Sequence, residues 1–414
     1  MCLKNTFPNI TRKEAMQRQS NAIRGFSLIE LMIAASVGVF LVGTAVKLYS
    51  IGLTMSWQTS QKAQLQQDFR AAANLLERDL SMAGSGALGQ QGLSNSSVGL
   101  PTGAGSTIPV YPCTALTTCN YVKSAPVAYP DSPTAVPSLY SIMPGPSLGI
   151  TVTAGAGPTD IITVNYADAS LPLNCYTGTV NAAATIVTFV LPSTWSTSCV
   201  TPPNIVPPAL PPSLIYNAAG NQLGLQVGDM IMFGTNALGV VTGAASTCGV
   251  VAPNLACYQV PFATGDPGHI NQPGVATGSL LQYAGAAVPS AVRMLSITYY
   301  LAIPTSTGLP TLMRIQNGQP PAPVAENVVY LKFTYDVINS SGTVTANQAS
   351  LPAGTTPSMI TKVNIAHMSM RSQGRDTASK SSLSGYGYES LDLQTSIAAR
   401  SLTSQQQYPI TVTN

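Results

Sequence analysis

The sequence predicts an α+β protein: one long N-terminal transmembrane helix packed on an antiparallel β-sheet head, with a large loop- and strand-rich insertion. Three features of the chain predict this class. The 21 residues from Phe26 to Val46 contain a single charge, Glu30. A helical apolar stripe follows as far as residue 83. Near the C-terminus, residues 295–303 and 329–337 alternate between apolar and polar, which is the pattern of half-buried strands.

Residues 26–46 form the predicted membrane span, and their partner is the lipid bilayer. At about 1.5 Å per residue, the segment crosses a hydrocarbon core of about 30 Å. The preceding residues 1–25 carry five basic side chains against one acidic side chain, Glu14. Positive flanks stay in the cytoplasm, so the head should lie across the membrane. Because a carboxylate inside such a span costs about 2.5–3.5 kcal/mol, Glu30 is a functional candidate.

Gly25 is placed where an unusual processing site would need it. An ordinary secretory signal has its small-residue cleavage site after the apolar core, whereas Gly25 precedes the core. Cleavage after Gly25 would remove the basic leader, residues 1–25, and keep the helix. It would also create an α-amino group on Phe26, four residues from Glu30. These two charges could neutralise each other between neighbouring subunits.

The residues around this site resemble the N-terminal signature of type IV prepilins and type II secretion pseudopilins; they are Gly25-Phe26-Ser27-Leu28-Ile29-Glu30-Leu31-Met32-Ile33-Ala34. The resemblance implies that a prepilin peptidase cleaves between Gly25 and Phe26 and methylates Phe26. It also implies that Glu30 aligns subunits during assembly. The implied partners are the prepilin peptidase, other minor and major pilins, and an inner-membrane assembly platform. A plain signal anchor with an incidental glutamate is the alternative.

Two departures from the resemblance favour a minor subunit over a major one. The leader is longer than many in the family. Lys47 also stands where many major pilins have a proline that kinks the helix.

The helix is predicted to continue to residue 83, with residues 57–83 amphipathic. The apolar stripe recurs at helical spacing and consists of Leu65, Phe69, Ala72, Leu76 and Leu80. Gly84 or Gly86 suits a left-handed C-terminal cap. The stripe should be covered by a β-sheet.

Residues 84–290 are rich in Gly, Pro, Ser and Thr and hold short strand candidates between turn signals. The candidates are Gly149–Thr153, Ile161–Tyr166, Ile186–Leu191, Met230–Phe233, Gly239–Thr242 and Tyr258–Phe262. Six cysteines in this region suggest three disulfides in an oxidising compartment. Neighbour pairing is the simplest connectivity: Cys113–Cys119, Cys175–Cys199 and Cys248–Cys257.

Residues 291–414 are predicted to form one antiparallel meander with one face buried. The predicted strands are Leu295–Ile303, Thr311–Gln316, Val329–Val337, Ile360–Arg371 and Leu391–Ala399. Their order is similar to that of the C-terminal half of PilW-type minor pilins and related large pseudopilins.

The chain is predicted not to be an enzyme and to have no cofactor or metal ligands. Gly145-Pro146-Ser147-Leu148-Gly149 matches the nucleophile-elbow spacing, but the neighbouring prolines and the predicted strand after it favour a turn. His269 lies in a turn sequence. His367 shares the parity of Val363 and Ile365, which predicts a packed strand residue. Tyr386, Tyr388 and Glu389 are expected in an exposed loop.

Charge argues against a nucleic-acid partner. The net charge of the whole chain is +3, yet removal of the leader leaves 13 basic and 14 acidic residues. Only 8% of the residues are charged and 45% are hydrophobic, so a core can form.

The expected function is that of a minor pilin, incorporated in or priming a type IV pilus at its tip. The chain would be a single-pass inner-membrane protein with a periplasmic head, and later a component of the pilus or cell surface. One alternative is a type II secretion pseudopilin at the pseudopilus tip. Another, of a different class, is an adhesin or ligand-binding head displayed by the filament.

Overall fold

The computed structural model describes residues 27–86, 97–99, 138–152, 157–168, 171, 173, 176–190, 224–234, 237–251, 255–266, 270–271, 276, 278–317, 319–339, 341–371 and 390–398. These residues form one α-helix, eighteen β-strands and two short 3-10 helices, Leu280–Tyr283 and Pro357–Met359. The contacts divide the chain into one unit up to Ser60 and a second unit from Gln61 onward.

A single helix, α1, runs from Leu28 to Ser81. It confirms the long N-terminal helix that the apolar run and the following stripe predicted. The end of the helix is set by glycine, because Gly84 and Gly86 have φ angles of 71° and 79°. Glycine adopts this left-handed conformation without the steric cost that a Cβ imposes. The predicted cap is therefore confirmed.

The turn after α1 is tied to the strand Ile161–Ala167 by backbone hydrogen bonds. The Gly84 amide donates to the Asn165 carbonyl at 2.8 Å, and the Ala167 amide donates to the Ser85 carbonyl at 2.8 Å. These two bonds pair backbone groups of the turn with backbone groups of the strand. The helix is thus joined to the sheet immediately after it ends.

The strands follow in chain order. They are β1 (Ser97–Gly99), β2 (Ser138–Tyr140), β3 (Ile142–Gly145), β4 (Ile161–Ala167), β5 (Thr177–Val180), β6 (Ile186–Val190), β7 (Met230–Phe233), β8 (Ala237–Val240), β9 (Ser246–Val251), β10 (Leu255–Pro261), β11 (Ala287–Val288), β12 (Ala291–Ala302), β13 (Thr311–Gln316), β14 (Ala322–Glu326), β15 (Val328–Ile338), β16 (Val344–Gln348), β17 (Ile360–Arg371) and β18 (Ser390–Ala398).

These strands form four antiparallel sheets, so the α+β class is confirmed. The largest sheet has seven strands in the order β14-β13-β12-β4-β3, with β7 paired to β12 and β8 paired to β7. A four-stranded sheet has the order β16-β15-β17-β18, and a five-stranded sheet has the order β11-β5-β6-β10-β9. The fourth sheet is the β1-β2 pair.

The main hydrophobic core joins α1 to the seven-stranded and four-stranded sheets. The predicted stripe is buried at all five positions: Leu65, Phe69, Ala72, Leu76 and Leu80. These side chains share one cluster with residues of both sheets, including the fully buried Tyr299, Phe333 and Tyr335. Each large apolar side chain buried in this way stabilises the fold by about 1.5–3 kcal/mol. Sheet residues therefore cover the helix stripe, as the sequence predicted.

A second core lies between the five-stranded sheet and the β7–β8 hairpin. Phe189, Phe233 and Phe262 are its largest fully buried members. The rings of Phe233 and Phe262 meet edge to face with centroids 5.5 Å apart, an arrangement favoured by the ring quadrupoles. The strands of residues 177–290 thus have a hydrophobic core of their own.

The strands of residues 291–414 do not form the single meander that the sequence predicted. β12, β13 and β14 belong to the seven-stranded sheet, whereas β15 to β18 form the four-stranded sheet. β12 also pairs along Met294–Tyr299 with β4, which comes from residues 84–290. Tyr299 and Tyr300 are both buried, although they point to opposite faces. A strand buried on both faces is central and needs a neighbour on each side, which the meander did not supply.

Two strand predictions within residues 84–290 were wrong. The described part of the predicted strand Gly149–Thr153 is not a strand; its contact is with Thr159, whose carbonyl accepts from the Gly149 amide at 2.8 Å. A Cβ on Gly149 would lie 2.9 Å from that carbonyl oxygen, so the close approach requires glycine. β8 covers 237–240 instead of 239–242, because its ladder with β7 begins with Ala237 opposite Phe233.

One of the three neighbouring cysteine pairs lies in the described residues. Cys248 and Cys257 form a disulfide, with Cα atoms 5.3 Å apart. They belong to adjacent antiparallel strands, β9 and β10. The disulfide therefore joins an edge strand of the five-stranded sheet to its neighbour. Cys113–Cys119 and Cys175–Cys199 lie outside the described residues.

Candidate membrane and assembly segment

The first half of α1 exposes apolar side chains around the helix. Seventeen large hydrophobic residues between Leu28 and Trp57 are 43–78% exposed. This is the one helix in the described part of the chain that is long and apolar enough to cross a membrane. A helix that is hydrophobic all round is stable in an apolar environment and unfavourable in water.

Two hydroxyl groups in this segment are satisfied within the helix. The Ser36 hydroxyl donates to the Ile33 carbonyl at 2.8 Å, and the Thr44 hydroxyl donates to the Leu41 carbonyl at 2.9 Å. In a bilayer, each unsatisfied polar group would cost several kcal/mol. These two polar residues therefore do not oppose insertion.

Glu30 lies in the first turn of α1 and is exposed. Its amide donates to the Ser27 carbonyl at 3.0 Å. Among the described residues its carboxylate has no ion-pair partner, and no other charged residue occurs between Leu28 and Val46. Gly25 and Phe26, the other two predicted site residues, lie outside the described residues. A positive group from outside the described chain could therefore reach this carboxylate.

The second half of α1 is held to the head by a buried carboxylate, Asp79. Asp79 is 2% exposed. One of its oxygens accepts from the Tyr299 hydroxyl at 2.7 Å and from the Arg314 Nε at 2.9 Å. The other oxygen accepts from the Tyr166 hydroxyl at 3.2 Å. We refer to Asp79, Tyr166, Tyr299 and Arg314 as the Asp79 anchor.

The Asp79 anchor fixes the helix to three neighbouring strands. Tyr166, Tyr299 and Arg314 come from β4, β12 and β13, which are adjacent in the seven-stranded sheet. Four groups separated by as many as 235 positions in the chain thus meet at one carboxylate. The sequence analysis did not single out Asp79. Its position seven residues after Ala72 of the buried stripe is the signal that could have identified it.

Burial and charge together keep the two tyrosine hydroxyls neutral. Burial raises the pKa of Tyr299 well above its usual value, and the adjacent negative charge of Asp79 raises it further. The pKa of Tyr166 is raised for the same two reasons. Burial by itself lowers the pKa of Arg314, but the attraction of Asp79 outweighs this effect and the net pKa is raised. The anchor therefore consists of one ion pair and two neutral hydrogen-bond donors.

Two other groups of buried carboxylates join elements within the head. Asp160 accepts from the Lys332 ammonium at 2.7 Å and from the Phe333 amide at 2.9 Å, so the seven-stranded sheet is linked to β15. Arg293 pairs with Asp168 through Nε at 2.8 Å and with Asp229 through Nη1 at 3.3 Å. Each of the three carboxylates is at most 7% exposed. Removing one partner from such a pair leaves an uncompensated buried charge.

Ser147 of the nucleophile-elbow match lies in a turn, as predicted. Its φ angle of 55° is uncommon for serine. The Lys332 ammonium donates to its hydroxyl oxygen at 3.0 Å and also to Asp160. The arrangement fixes the turn after β3 to β15.

His367 is a strand residue of β17, as predicted, but its predicted parity with Ile365 was wrong. Its side chain is 41% exposed and meets the Tyr330 ring edge-on, with ring centroids 4.9 Å apart. Its Nε2 lies 3.2 Å from an oxygen of Asp392. A shift of register in β17 between Ile365 and Met368 breaks the alternation, so His367 does not share the face of Ile365. His269, Tyr386, Tyr388 and Glu389 lie outside the described residues.

Hydrogen bonding also lowers the pKa of Asp392. A hydrogen bond from Ser369 lowers its pKa, and the contact with His367 lowers it further against the opposing effect of burial. Both interactions link the edge strand β18 to β17. Within the described residues, no group of three or more His, Cys, Asp or Glu side chains could hold a metal ion.

The structure thus defines a class: an α+β protein whose N-terminal helix could span a membrane and whose sheets cover the apolar stripe on the second half of that helix. Comparison of the chain with protein families, characterised proteins and solved structures found no match.

We expect Asp79→Asn to lower the free energy of unfolding by about 3 kcal/mol, because it leaves the largely buried Arg314 guanidinium without its counter-charge. Urea unfolding of the detergent-solubilised protein, followed by near-UV circular dichroism, measures the change. Asp68→Asn is the matched control, since Asp68 lies on the exposed face of the same helix. Its effect should stay within about 0.5 kcal/mol. Equal effects of the two variants would contradict the anchoring role of Asp79.

We also expect the stability to fall as the pH rises above about 10, where the tyrosines of the unfolded chain ionise. Tyr166 and Tyr299 keep their protons in the folded state, so the unfolded state binds fewer protons and gains relative stability. Each group contributes a loss of about 1.4 kcal/mol per pH unit in that range. Absorbance titration of phenolate with and without urea measures the difference. In Tyr299→Phe, the free energy of unfolding should fall less steeply with pH. An unchanged pH dependence would show that Tyr299 ionises freely in the folded protein.

Proposed function

We propose that this chain is a minor pilin of a type IV pilus, inserted in the inner membrane as a precursor and incorporated in the filament after its leader is removed. The first half of α1 would anchor the chain in the bilayer. The Asp79 anchor would keep the head attached when force acts on that helix. The sequence resemblance at residues 25–34 supplies the processing step, which removes residues 1–25.

The single observation that carries the proposal is the position of Glu30. It is the only charge between Leu28 and Val46, and it stands exposed on the first turn of an apolar helix. A carboxylate in an apolar environment needs a positive partner. Cleavage after Gly25 would produce such a partner, the α-amino group of Phe26, on every subunit. Pairing of one subunit's amine with another subunit's Glu30 would set the axial position of each incoming subunit.

The size of the head supports a position at the filament tip. Residues 61–414 hold the sheets and cores described above. A head of this size would be hard to accommodate beside a copy of itself at every step of a filament shaft. At the tip, a single large head has no such restriction. The shaft below the tip would then consist of pilins with smaller heads.

The native protein is expected to begin with N-methylated Phe26, because the peptidase would cleave after Gly25 and modify the new terminus. Mass spectrometry of the N-terminal peptide, purified from cell membranes, measures both changes. A chain that still begins at Met1 would remove the paired amine and would overturn the assembly mechanism.

Replacing Glu30 by Ala should leave membrane insertion intact but abolish incorporation into filaments sheared from cells, because the α-amino group of a neighbour loses its partner. Immunoblots of sheared and membrane fractions measure the two outcomes. Ser36→Ala, in the same exposed segment, is the control and should be incorporated normally.

Normal incorporation of Glu30→Ala would refute the role of the carboxylate. If deletion of the chain instead blocked protein secretion and left surface filaments unchanged, the type II secretion pseudopilin would replace the type IV minor pilin as the identity.

A further inference from the structure

The apolar surface of α1 does not end at Lys47. The ten residues from Leu48 to Trp57 contain no charged side chain, and the next charge is Lys62. Six large hydrophobic side chains in this segment are 43–70% exposed: Leu48, Tyr49, Ile51, Leu53, Met55 and Trp57. We refer to residues 48–57 as the distal apolar segment. The predicted span 26–46 leaves this surface unexplained.

The exposed apolar side chains of the distal apolar segment surround most of the helix. At about 100° per residue, the six side chains cover about two thirds of the circumference. By comparison, residues 61–81 bury a single stripe and carry charged residues such as Lys62, Asp68 and Arg70 on the exposed side. One docked helix needs only a stripe of about 100°. An environment that surrounds the helix on most sides, as lipid does, fits the distal apolar segment better.

The length of the complete apolar stretch matches a whole bilayer. The 32 residues from Phe26 to Trp57 span about 48 Å at 1.5 Å per residue. A tilt of about 20° reduces the depth to about 45 Å. The hydrocarbon core with both headgroup regions measures about 40–45 Å. With the stretch centred in the membrane, Tyr49 lies about 4 Å inside the outer edge of the hydrocarbon and Trp57 lies in the outer headgroup region.

The residue types agree with this depth. Tyrosine and tryptophan are enriched at membrane interfaces, because each ring has an apolar body and a polar tip. Lys47 would lie about 7 Å inside the hydrocarbon, and its long side chain can extend from there toward the headgroups. The Thr59 hydroxyl, just past the segment, donates to the Met55 carbonyl at 2.9 Å. The Thr59 hydroxyl is therefore satisfied within the helix.

We propose that the distal apolar segment is a second lipid-binding section, with Tyr49 near the outer edge of the hydrocarbon and Trp57 in the outer headgroup region, so that the membrane-bound residues are 26–57. The proposal rests on the membrane anchoring in the proposed function, but it requires neither cleavage nor filament assembly. It places Glu30 near the inner boundary of the hydrocarbon before assembly, where a carboxylate is less costly than at the centre.

The test uses the full-length, unprocessed chain in phosphatidylcholine and phosphatidylglycerol vesicles. Trp195→Phe leaves Trp57 as the sole tryptophan, since the chain has two. We expect blue-shifted emission and loss of most of that emission in vesicles whose lipids are brominated near the headgroup. Lipids brominated near the methyl end should quench less, and aqueous iodide should quench little. The matched control is Trp57→Phe with Trp195 retained, which reports the emission and quenching of Trp195 alone.

Red-shifted emission that iodide quenches and bromolipids do not would place Trp57 in water and overturn the proposal. Blue-shifted emission that neither reagent quenches would place it against protein, and would overturn it in favour of a partner helix. Near-UV circular dichroism of both variants verifies that the head is folded. Failure of this test leaves the Glu30 and Phe26 experiments unaffected, so the two proposals can fail separately.

Discussion

The Asp79 carboxylate is the charged group that the second half of α1 directs into the protein interior, and the position of the helix on the sheet depends on it. The apolar stripe provides most of the burial, but hydrophobic contacts are not directional and tolerate sliding. The Asp79 anchor removes that freedom, since its acceptor oxygens must meet donors on three strands simultaneously. Leu76 and Leu80, three residues before and one residue after Asp79 in the chain, are buried with it. Hydrogen bonds of a charged group are strong in such surroundings.

The head uses its few charges in the same manner elsewhere. Asp160 and Arg293 each join groups more than 100 positions apart in the chain. In a chain with only 8% charged residues, these interactions are not a general surface feature. Each is placed where two elements from distant parts of the sequence meet. Their contribution is to select one arrangement of the sheets, because an incorrect arrangement would bury the same charges without partners.

The two halves of α1 show how one helix can serve two environments. Residues 61–81 have one apolar stripe and a charged opposite face, which suits a helix packed on a sheet. The residues before Trp57 are apolar around most of the helix and carry only Glu30 and Lys47. A force on residues 61–81 would be transmitted to the head through the Asp79 anchor and the buried stripe. A membrane or filament core would hold the other half, and the transition between the halves lies at residues 57–61.

The sequence by itself determined the elements that depend on local periodicity and length. The helix, its buried stripe and its glycine cap followed from spacing along one segment, and so did β13 and β17, whose predicted bounds match the structure. The candidate residues Gly25, Phe26 and Glu30 also came from a local motif. Of these, the structure describes Glu30 and finds it exposed.

Only the tertiary structure decided which strands became neighbours and which polar side chains became buried partners. The pairing of β12 with β4, the register shift that moves His367 to the other face, and the meeting of Asp79 with Arg314 all join distant positions. Alternation along one strand specifies its faces but not its edges. Partner choice at an edge depends on the packing of the whole chain, and that information is absent from any short stretch of sequence.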